Sequence, residues 1–129
     1  MTRPGLSEVL ELAKQGEYRR VPISREILSD AVTPLEVLRR MKNVSDHCYM
    51  FESAYQQERW GRYTFLGFDP TLEITCRDGN MKVGTLSFET DDPGRYIRQV
   101  LAEYKSPRLD FLPPFAGGLV GYFSYDYLK

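Results

Sequence analysis

The sequence predicts an α+β fold in which a mostly antiparallel sheet is covered by two or three helices. Three stretches of the 129-residue chain place apolar residues at helical spacing, and the region between the last two consists of short apolar or alternating runs. The tripeptide Asp78-Gly79-Asn80 separates two of these runs and indicates a tight hairpin. A chain of this length is most simply one domain, residues 1–129, with one modest core.

The helical stretches carry start and stop signals. The first helix is predicted from about Ser7 to Lys14, where apolar residues recur along one face. The second begins in residues 33–36 (TPLE), because threonine can cap a helix, proline suits the first turn and glutamate can close a capping box. The third begins at Asp92-Pro93 for similar reasons, and Pro107 ends it.

The predicted strands are short runs of apolar, β-branched or aromatic residues, bounded by turn residues. Their bounds are Cys48–Ala54, Tyr63–Gly67, Thr71–Arg77, Met81–Val83 and Leu86–Glu89. Arg108–Phe115 is predicted to be a loop because it contains two consecutive prolines.

Residues 117–126 (GGLVGYFSYD) read as a further apolar strand that contains three glycines. Glycine weakens a strand unless another backbone or a ligand approaches closely. We therefore expect this strand to have been shaped for a partner that the chain lacks. Its apolar surface between Leu119 and Tyr125 is predicted to be exposed and to promote a homodimer through the strand.

Composition argues against several functional classes. Seventeen basic and eighteen acidic residues leave a net charge of −1, so the chain lacks the positive field typical of nucleic-acid or membrane-surface binding. No apolar run approaches the ~20 residues of a membrane span, and the first residues include no signal-peptide core, which predicts a cytoplasmic protein. His47, the single histidine, has no second ligand cluster, so no catalytic or metal site is predicted.

Residues 50–70 (MFESAYQQERWGRYTFLGFDP) carry the strongest functional signal. Glu52-Ser53 closes an apolar strand, a charged turn follows, and the next strand opens with Arg62-Tyr63. A hydroxyl or carboxylate can meet an ammonium group, a guanidinium can meet a carboxylate, and rings can meet an apolar side chain. The pattern therefore favours a site for a small zwitterion with an aromatic side chain.

Three stretches, residues 50–53 (MFES), 58–67 (ERWGRYTFLG) and 114–126 (PFAGGLVGYFSYD), resemble the N-terminal region of the large component of anthranilate synthase, in the chorismate-utilising enzyme family. The first is similar to the family's Leu-Leu-Glu-Ser motif and the second to its Gly-Arg-Tyr-Ser-Phe segment. Met50-Phe51 in place of two leucines is a volume-tolerant departure, and Thr64 in place of serine keeps the hydroxyl.

The resemblance implies that the chain is half of the family's α/β/β/α sandwich and contributes to a feedback site for L-tryptophan. It implies that Ser53 and Glu52 meet the polar end of tryptophan and that Arg62 and Tyr63, on the neighbouring strand, are the next candidates for contact; strand alternation adds Phe51 as a contact for the indole ring. In the family, a C-terminal chorismate-binding domain holds Mg²⁺ and catalyses the lyase reaction from chorismate to anthranilate, the first step of tryptophan biosynthesis. A glutamine amidotransferase subunit supplies ammonia. The chain is therefore expected to be a fragment without a cofactor and without activity of its own.

Strand geometry restricts how Glu52 and Ser53 can act. Adjacent strand residues point to opposite faces, so only one of the two side chains enters the pocket unless a bulge intervenes. We favour Ser53 facing the ligand, with Phe51 and Tyr55 on its face. Glu52 would then need a partner such as Arg59 or Arg62, because a buried unpaired carboxylate is costly.

Several alternatives remain open at this point. Arg62 can be a solvated turn charge, and Trp60 and Tyr63 can be core residues. The whole chain can also be a free-standing small-ligand or protein-binding module, or the same region of an aminodeoxychorismate synthase. A free-standing module predicts a self-sufficient monomer, whereas the resemblance predicts exposed apolar strand surface.

Overall fold

The computed structural model of the protein describes residues 1–53 and 63–128, with only the backbone of Leu128. Its strands and helices are, in chain order, β1 (Thr2–Arg3), α1 (Leu6–Lys14), β2 (Ser24–Arg25), α2 (Pro34–Met41), β3 (Cys48–Glu52), β4 (Thr64–Phe68), β5 (Ile74–Arg77), β6 (Asn80–Val83), β7 (Leu86–Glu89) and α3 (Pro93–Glu103). The described strands form three antiparallel sheets, β1–β2, β3–β4 and β5–β6–β7. Three helices with antiparallel sheets confirm the predicted α+β class.

The chain divides into two compact units, Met1–Glu26 with Gly94–Lys129, and Ile27–Pro93. The first unit contains α1, the β1–β2 sheet and all of α3 except its first residue. The second contains α2 and the other two sheets, and it includes most of the residues that the sequence marks as functional.

In the first unit, α3 buries Val100, and the segment before β2 is attached to the residues that follow α3. Val100 is 8% exposed. The main-chain N–H of Arg19 donates to the carbonyl oxygen of Lys105 at 3.2 Å, and Lys105 Nζ donates to Glu17 Oε1 at 2.5 Å. The hydrogen bond to the Glu17 carboxylate, with its charge, raises the pKa of Lys105. Both side chains are about half exposed, so this pair contributes little to stability.

The helices begin close to their predicted positions. α1 starts one residue earlier than predicted, and α3 starts at the predicted proline. At the start of α2, the hydroxyl oxygen of Thr33 accepts the main-chain N–H of Glu36 at 3.3 Å, as predicted for a helix cap. The Glu36 carboxylate does not close a capping box but accepts from Arg40 Nε at 3.1 Å, because a charged partner one turn later attracts it.

Among the described residues of the second unit, the best-buried side chain lies in the β5–β6–β7 meander. The predicted turn is confirmed at Asp78 and Gly79, with φ angles of 49° and 79° that suit a two-residue hairpin turn, whereas Asn80 already belongs to β6. Met81 lies in the central strand, between Cys76 of β5 and Phe88 of β7, and is 0% exposed. The meander therefore organises its packing around one methionine.

The prediction of a strand over residues 117–126 is wrong. Among the described residues, this segment pairs with no strand, and its last two residues begin a 3₁₀ helix, Tyr125–Leu128. Gly117 and Gly118 have φ angles of 145° and 148°, which lie outside the β region of L residues and interrupt any regular strand. The predicted exposure of its apolar side chains is confirmed, since Tyr122 is 93% exposed. The prediction of a homodimer through this strand therefore has no strand to support it, whereas the prediction of an exposed apolar surface holds.

Candidate functional site

The β3–β4 pair brings four of the five predicted site residues to one end of a two-stranded sheet. The ladder of pairs ends with Glu52 of β3 opposite Thr64 of β4. Ser53 follows β3 and Tyr63 precedes β4, so each lies one residue beyond this last pair. Phe51 is the residue before Glu52, and α2 packs against both strands. The sheet end is therefore the candidate site.

Four aromatic rings form a row along one face of this pair. Tyr49 and Phe51 lie two residues apart in β3, with ring centroids 5.4 Å apart and tilted by 41°. Tyr63, the residue before β4, and Phe65 in β4 have ring centroids 5.7 Å apart, tilted by 35°. Because Phe51 is directly opposite Phe65, the two pairs share a face. We call these four residues the aromatic row; their separations are those of favourable ring contacts.

One end of the aromatic row depends on a glycine. Gly67 lies directly opposite Tyr49, and the tyrosine ring extends across it. A Cβ at Gly67 would lie 2.5 Å from Cζ and 2.7 Å from the hydroxyl oxygen of Tyr49, which is too close for a real contact. Two residues along β3 from Tyr49, Phe51 is 53% exposed. The β3 side of the row thus runs from a half-buried tyrosine to an exposed phenylalanine two residues before Ser53.

The carboxylate of Glu52 does not need the arginine partner that the sequence predicts. Glu52 is exposed, and strand alternation places it with Met50 on the face opposite Phe51. An exposed carboxylate keeps its water, so the cost of burying an unpaired charge does not arise. Glu52 can therefore reach a ligand only around the end of the strand, where the chain leaves the sheet.

Arg62 lies outside the described residues, as do Tyr55, Arg59 and Trp60. The predicted contact between the Arg62 guanidinium and a ligand carboxylate stays a prediction, and so does the position of Tyr55 beside Ser53. Ser53 itself is exposed at the end of β3. Its role as the contact for an ammonium group is likewise a prediction.

The opposite end of the β3–β4 pair is joined by a serine hydroxyl. Ser45 Oγ accepts the main-chain N–H groups of His47 at 3.2 Å and Asp69 at 3.1 Å, and donates to the carbonyl oxygen of His47 at 3.0 Å. Asp69 has a φ of 52°, a left-handed conformation that aspartate tolerates better than most residues. These bonds connect the segment before β3 to the segment after β4. They therefore support the register of the two strands that carry the aromatic row.

Sequence reasoning missed Tyr49, Phe65, Gly67 and Ser45 as members or supports of this site. A signal for the first two was present, because an aromatic residue recurs at period two in residues 49–51 and again in residues 63–65. Gly67 has no such signal, since its role depends on which residue lies opposite it.

A groove of about 370 Å³ in the first unit involves none of the predicted site residues. It runs along α1 beside the loop at residues 109–111, and Leu12, Leu109 and Phe111 form its apolar lining. The carboxylates of Glu8 and Glu11 also border it, but both already have partners within α1 and its cap. Neither carboxylate is therefore left without a partner that a ligand would have to supply.

A three-residue metal site and a membrane-spanning helix are both absent from the described part of the chain. No three histidine, cysteine, aspartate or glutamate side chains there lie close enough together to hold a metal ion. None of its helices combines the length and apolar character that crossing a membrane requires.

Several curated proteins with similar sequences share one name. Over 127 residues the chain is 35% identical to anthranilate synthase component 1 of Acinetobacter calcoaceticus. This alignment covers 92% of this chain and 25% of that protein. The same protein of Pseudomonas aeruginosa is 35% identical over 127 residues, covering 95% and 25%. That of Acetivibrio thermocellus is 31% identical over 133 aligned positions, covering 100% and 26%.

No family model matches the chain, and no solved structure matches it significantly. The chain spans about a quarter of the length of the curated relatives it matches. The resemblance predicted from the sequence is confirmed: over nearly its whole length, this chain is a relative of the N-terminal region of anthranilate synthase component 1.

Proposed function

We propose that the aromatic row and the adjoining sheet end form one wall of a binding site for L-tryptophan. The observation that carries this proposal is that Phe51, the exposed ring on the β3 side of the row, lies next to the strand end where Glu52 and Ser53 are found. The indole ring packs against Phe51 and Tyr63, and the ammonium group meets the hydroxyl of Ser53 or the carboxylate of Glu52. The guanidinium of Arg62 pairs with the tryptophan carboxylate.

We further propose that this site regulates a protein of the anthranilate synthase component 1 type. Tryptophan can favour a less active arrangement only by binding it better than the active one. At one hundred times its dissociation constant, a ligand stabilises its binding state by about 2.7 kcal/mol. The binding free energy of one amino-acid ligand is therefore large enough for this regulatory role.

The remainder of such a protein would supply the chemistry. By resemblance, we assign the conversion of chorismate to anthranilate, and the Mg²⁺ that assists it, to a region outside this chain. A glutamine amidotransferase subunit would deliver ammonia to that region. The support for these assignments is the shared name of the relatives and the quarter of their length that the chain spans.

The chain on its own is expected to bind L-tryptophan weakly. Small-ligand pockets bury 70–90% of their ligand, and a residue at the end of a sheet, such as the half-exposed Phe51, can cover only one side of an indole ring. We expect a dissociation constant on the order of 1 mM, which NMR titration can measure. Micromolar affinity by calorimetry would contradict the assignment of a single wall to this chain.

Replacing Ser53 by alanine is expected to weaken L-tryptophan binding about fivefold. The substitution removes one hydrogen bond to a charged ammonium group, and a bond of this kind contributes roughly 1 kcal/mol. The measurement is an NMR titration of both proteins with L-tryptophan. Ser87→Ala is the matched control, because Ser87 is an exposed strand serine in β7. Equal affinities of wild type and Ser53→Ala would remove Ser53 from the proposed site.

A second candidate function, an apolar docking surface of an incomplete structure, is favoured by the exposed apolar side chains of residues 122–125. Tyr122 is 93%, Tyr125 79% and Phe123 64% exposed. Exposed apolar clusters of this kind mark surfaces that associate with other proteins.

The purified chain is therefore expected to self-associate as its concentration rises, which light scattering measures. Tyr122→Ser combined with Tyr125→Ser should reduce the association, since both changes remove exposed apolar area. A strictly monomeric, highly soluble chain would instead favour the free-standing module over an incomplete structure.

A further inference from the structure

We propose that Gly67 is a positioning residue for the aromatic row, acting through Tyr49 on Phe51. The absence of a side chain at Gly67 lets the Tyr49 ring extend across β4, and that ring fixes the Phe51 ring against which an aromatic ligand packs. The inference deepens the proposed function and rests on it for the identity of the ligand. Gly67 and Tyr49 themselves need not touch the ligand.

The first step is the dependence of Tyr49 on Gly67. The two residues are directly opposite each other in the antiparallel ladder, so their side chains would share one face. Any Cβ at position 67 would overlap the Tyr49 ring, with separations of 2.5 and 2.7 Å to two of its atoms. Ordinary carbon contacts begin near 3.5 Å. An alanine at position 67 therefore displaces the ring by about 1 Å or turns it to another rotamer.

The second step is the dependence of Phe51 on Tyr49. Their ring centroids are 5.4 Å apart and the rings are tilted by 41°, an arrangement that the electrostatics of aromatic rings favours. Across the ladder, Phe51 lies opposite Phe65, so residues along β3 and across β4 restrict its ring from two directions. If Tyr49 moves, Phe51 loses one of these two neighbours. Because Phe51 is 53% exposed, few other contacts hold it.

The third step is the effect on a ligand. A ring that is already held in its binding position does not lose rotamer freedom when the ligand arrives, so preorganisation increases affinity without a new contact. Ligand affinity therefore depends on the position of the Phe51 ring, and residue 67 affects it only by allowing that position. Gly67 thus influences binding from the far end of the aromatic row.

The experiment is a double-mutant cycle on this chain, with Gly67→Ala, Tyr49→Ala and the double substitution. Indole and L-tryptophan are the two probes, and NMR follows both the main-chain amide shifts of residues 49–53 and the ring-to-ring NOE between Tyr49 and Phe51. Gly121→Ala is the matched control, because a Cβ at Gly121 meets no atom within 4 Å and its φ is not in the positive region. Amide dispersion verifies that each variant is folded.

We expect Gly67→Ala to weaken the binding of both probes about tenfold and to abolish the ring NOE. Tyr49→Ala alone should weaken binding to a similar extent, since it removes the same support from Phe51. In the Tyr49→Ala background, Gly67→Ala should change affinity less than about twofold, because no ring remains for the new methyl group to displace. If Gly67→Ala does not fold, the Tyr49→Ala single variant and the double variant still test the proposal.

The two proposals fail in different ways. Full additivity of the two substitutions, or an unchanged affinity in Tyr49→Ala, overturns the positioning role while the tryptophan site stands. Indole binding that follows the expected cycle, without tighter binding of L-tryptophan, supports the positioning role and overturns the amino-acid site. An absence of any response of residues 49–53 to either probe overturns both.

Discussion

Replacing Met81 by alanine is expected to lower the free energy of unfolding by about 2–5 kcal/mol. Met81 is 0% exposed and lies in the central strand of β5–β6–β7, with Cys76 and Phe88 on either side of it. Alanine removes three heavy atoms from this position and leaves a cavity that two short hairpins can close only in part. Urea denaturation followed by circular dichroism measures the loss, and hydrogen exchange of the β5–β7 amides locates it.

Two further variants identify the cause of the loss. Met81→Leu keeps most of the volume and should cost less than about 1.5 kcal/mol. Lys82→Ala, in the next position of the same strand but exposed, should stay within about 0.5 kcal/mol of the wild type. If Met81→Ala and Lys82→Ala have the same stability, the meander does not depend on its buried methionine.

Replacing Phe51 by alanine is expected to weaken L-tryptophan binding about tenfold or more. The change removes the exposed ring of the aromatic row, and the loss of one ring contact with its buried area costs roughly 1.5 kcal/mol. Affinity is measured by NMR titration with L-tryptophan. The free energy of unfolding is measured on the same samples, so that a change in binding is not mistaken for a change in stability.

Phe68 provides a closely matched control for Phe51. Both are phenylalanines of the β3–β4 pair and have nearly equal exposure, 53% for Phe51 and 51% for Phe68. They differ in face, because Phe68 pairs with Cys48 and therefore lies on the side opposite the aromatic row. Phe68→Ala should change binding less than about twofold. Equal losses in the two variants would assign the effect to general weakening of the sheet and contradict the site.

Local signals predicted the elements that short-range interactions control. The threonine cap and proline at residues 33–34 mark the start of α2, and the Asp78-Gly79 turn joins β5 to β6 as expected. In each case the stabilising contact links residues no more than about four positions apart, so the sequence contains both partners. The five strands predicted between residues 48 and 89 lie at or within a few residues of their predicted positions for the same reason, since each has its own apolar pattern.

The error at residues 117–126 shows where this reasoning ends. The apolar composition of that segment favours a strand, but a strand requires a neighbour for its main-chain hydrogen bonds. In the described chain no neighbour pairs with it, and Gly117 and Gly118 adopt positive φ angles. Apolar character alone therefore predicts a tendency to bury surface and not the structure that buries it.

The candidate site likewise has features that local sequence predicts and features that depend on long-range contacts. The sequence alone determined that Glu52-Ser53 closes an apolar strand, that aromatic residues follow on the next strand, and that the chain resembles the anthranilate synthase large component. Only the tertiary structure decided that Phe51 lies opposite Phe65 and that the Tyr49 ring occupies the space above Gly67. The register of two strands depends on contacts between residues far apart in the chain, and a one-residue shift would place every one of these rings opposite a different partner.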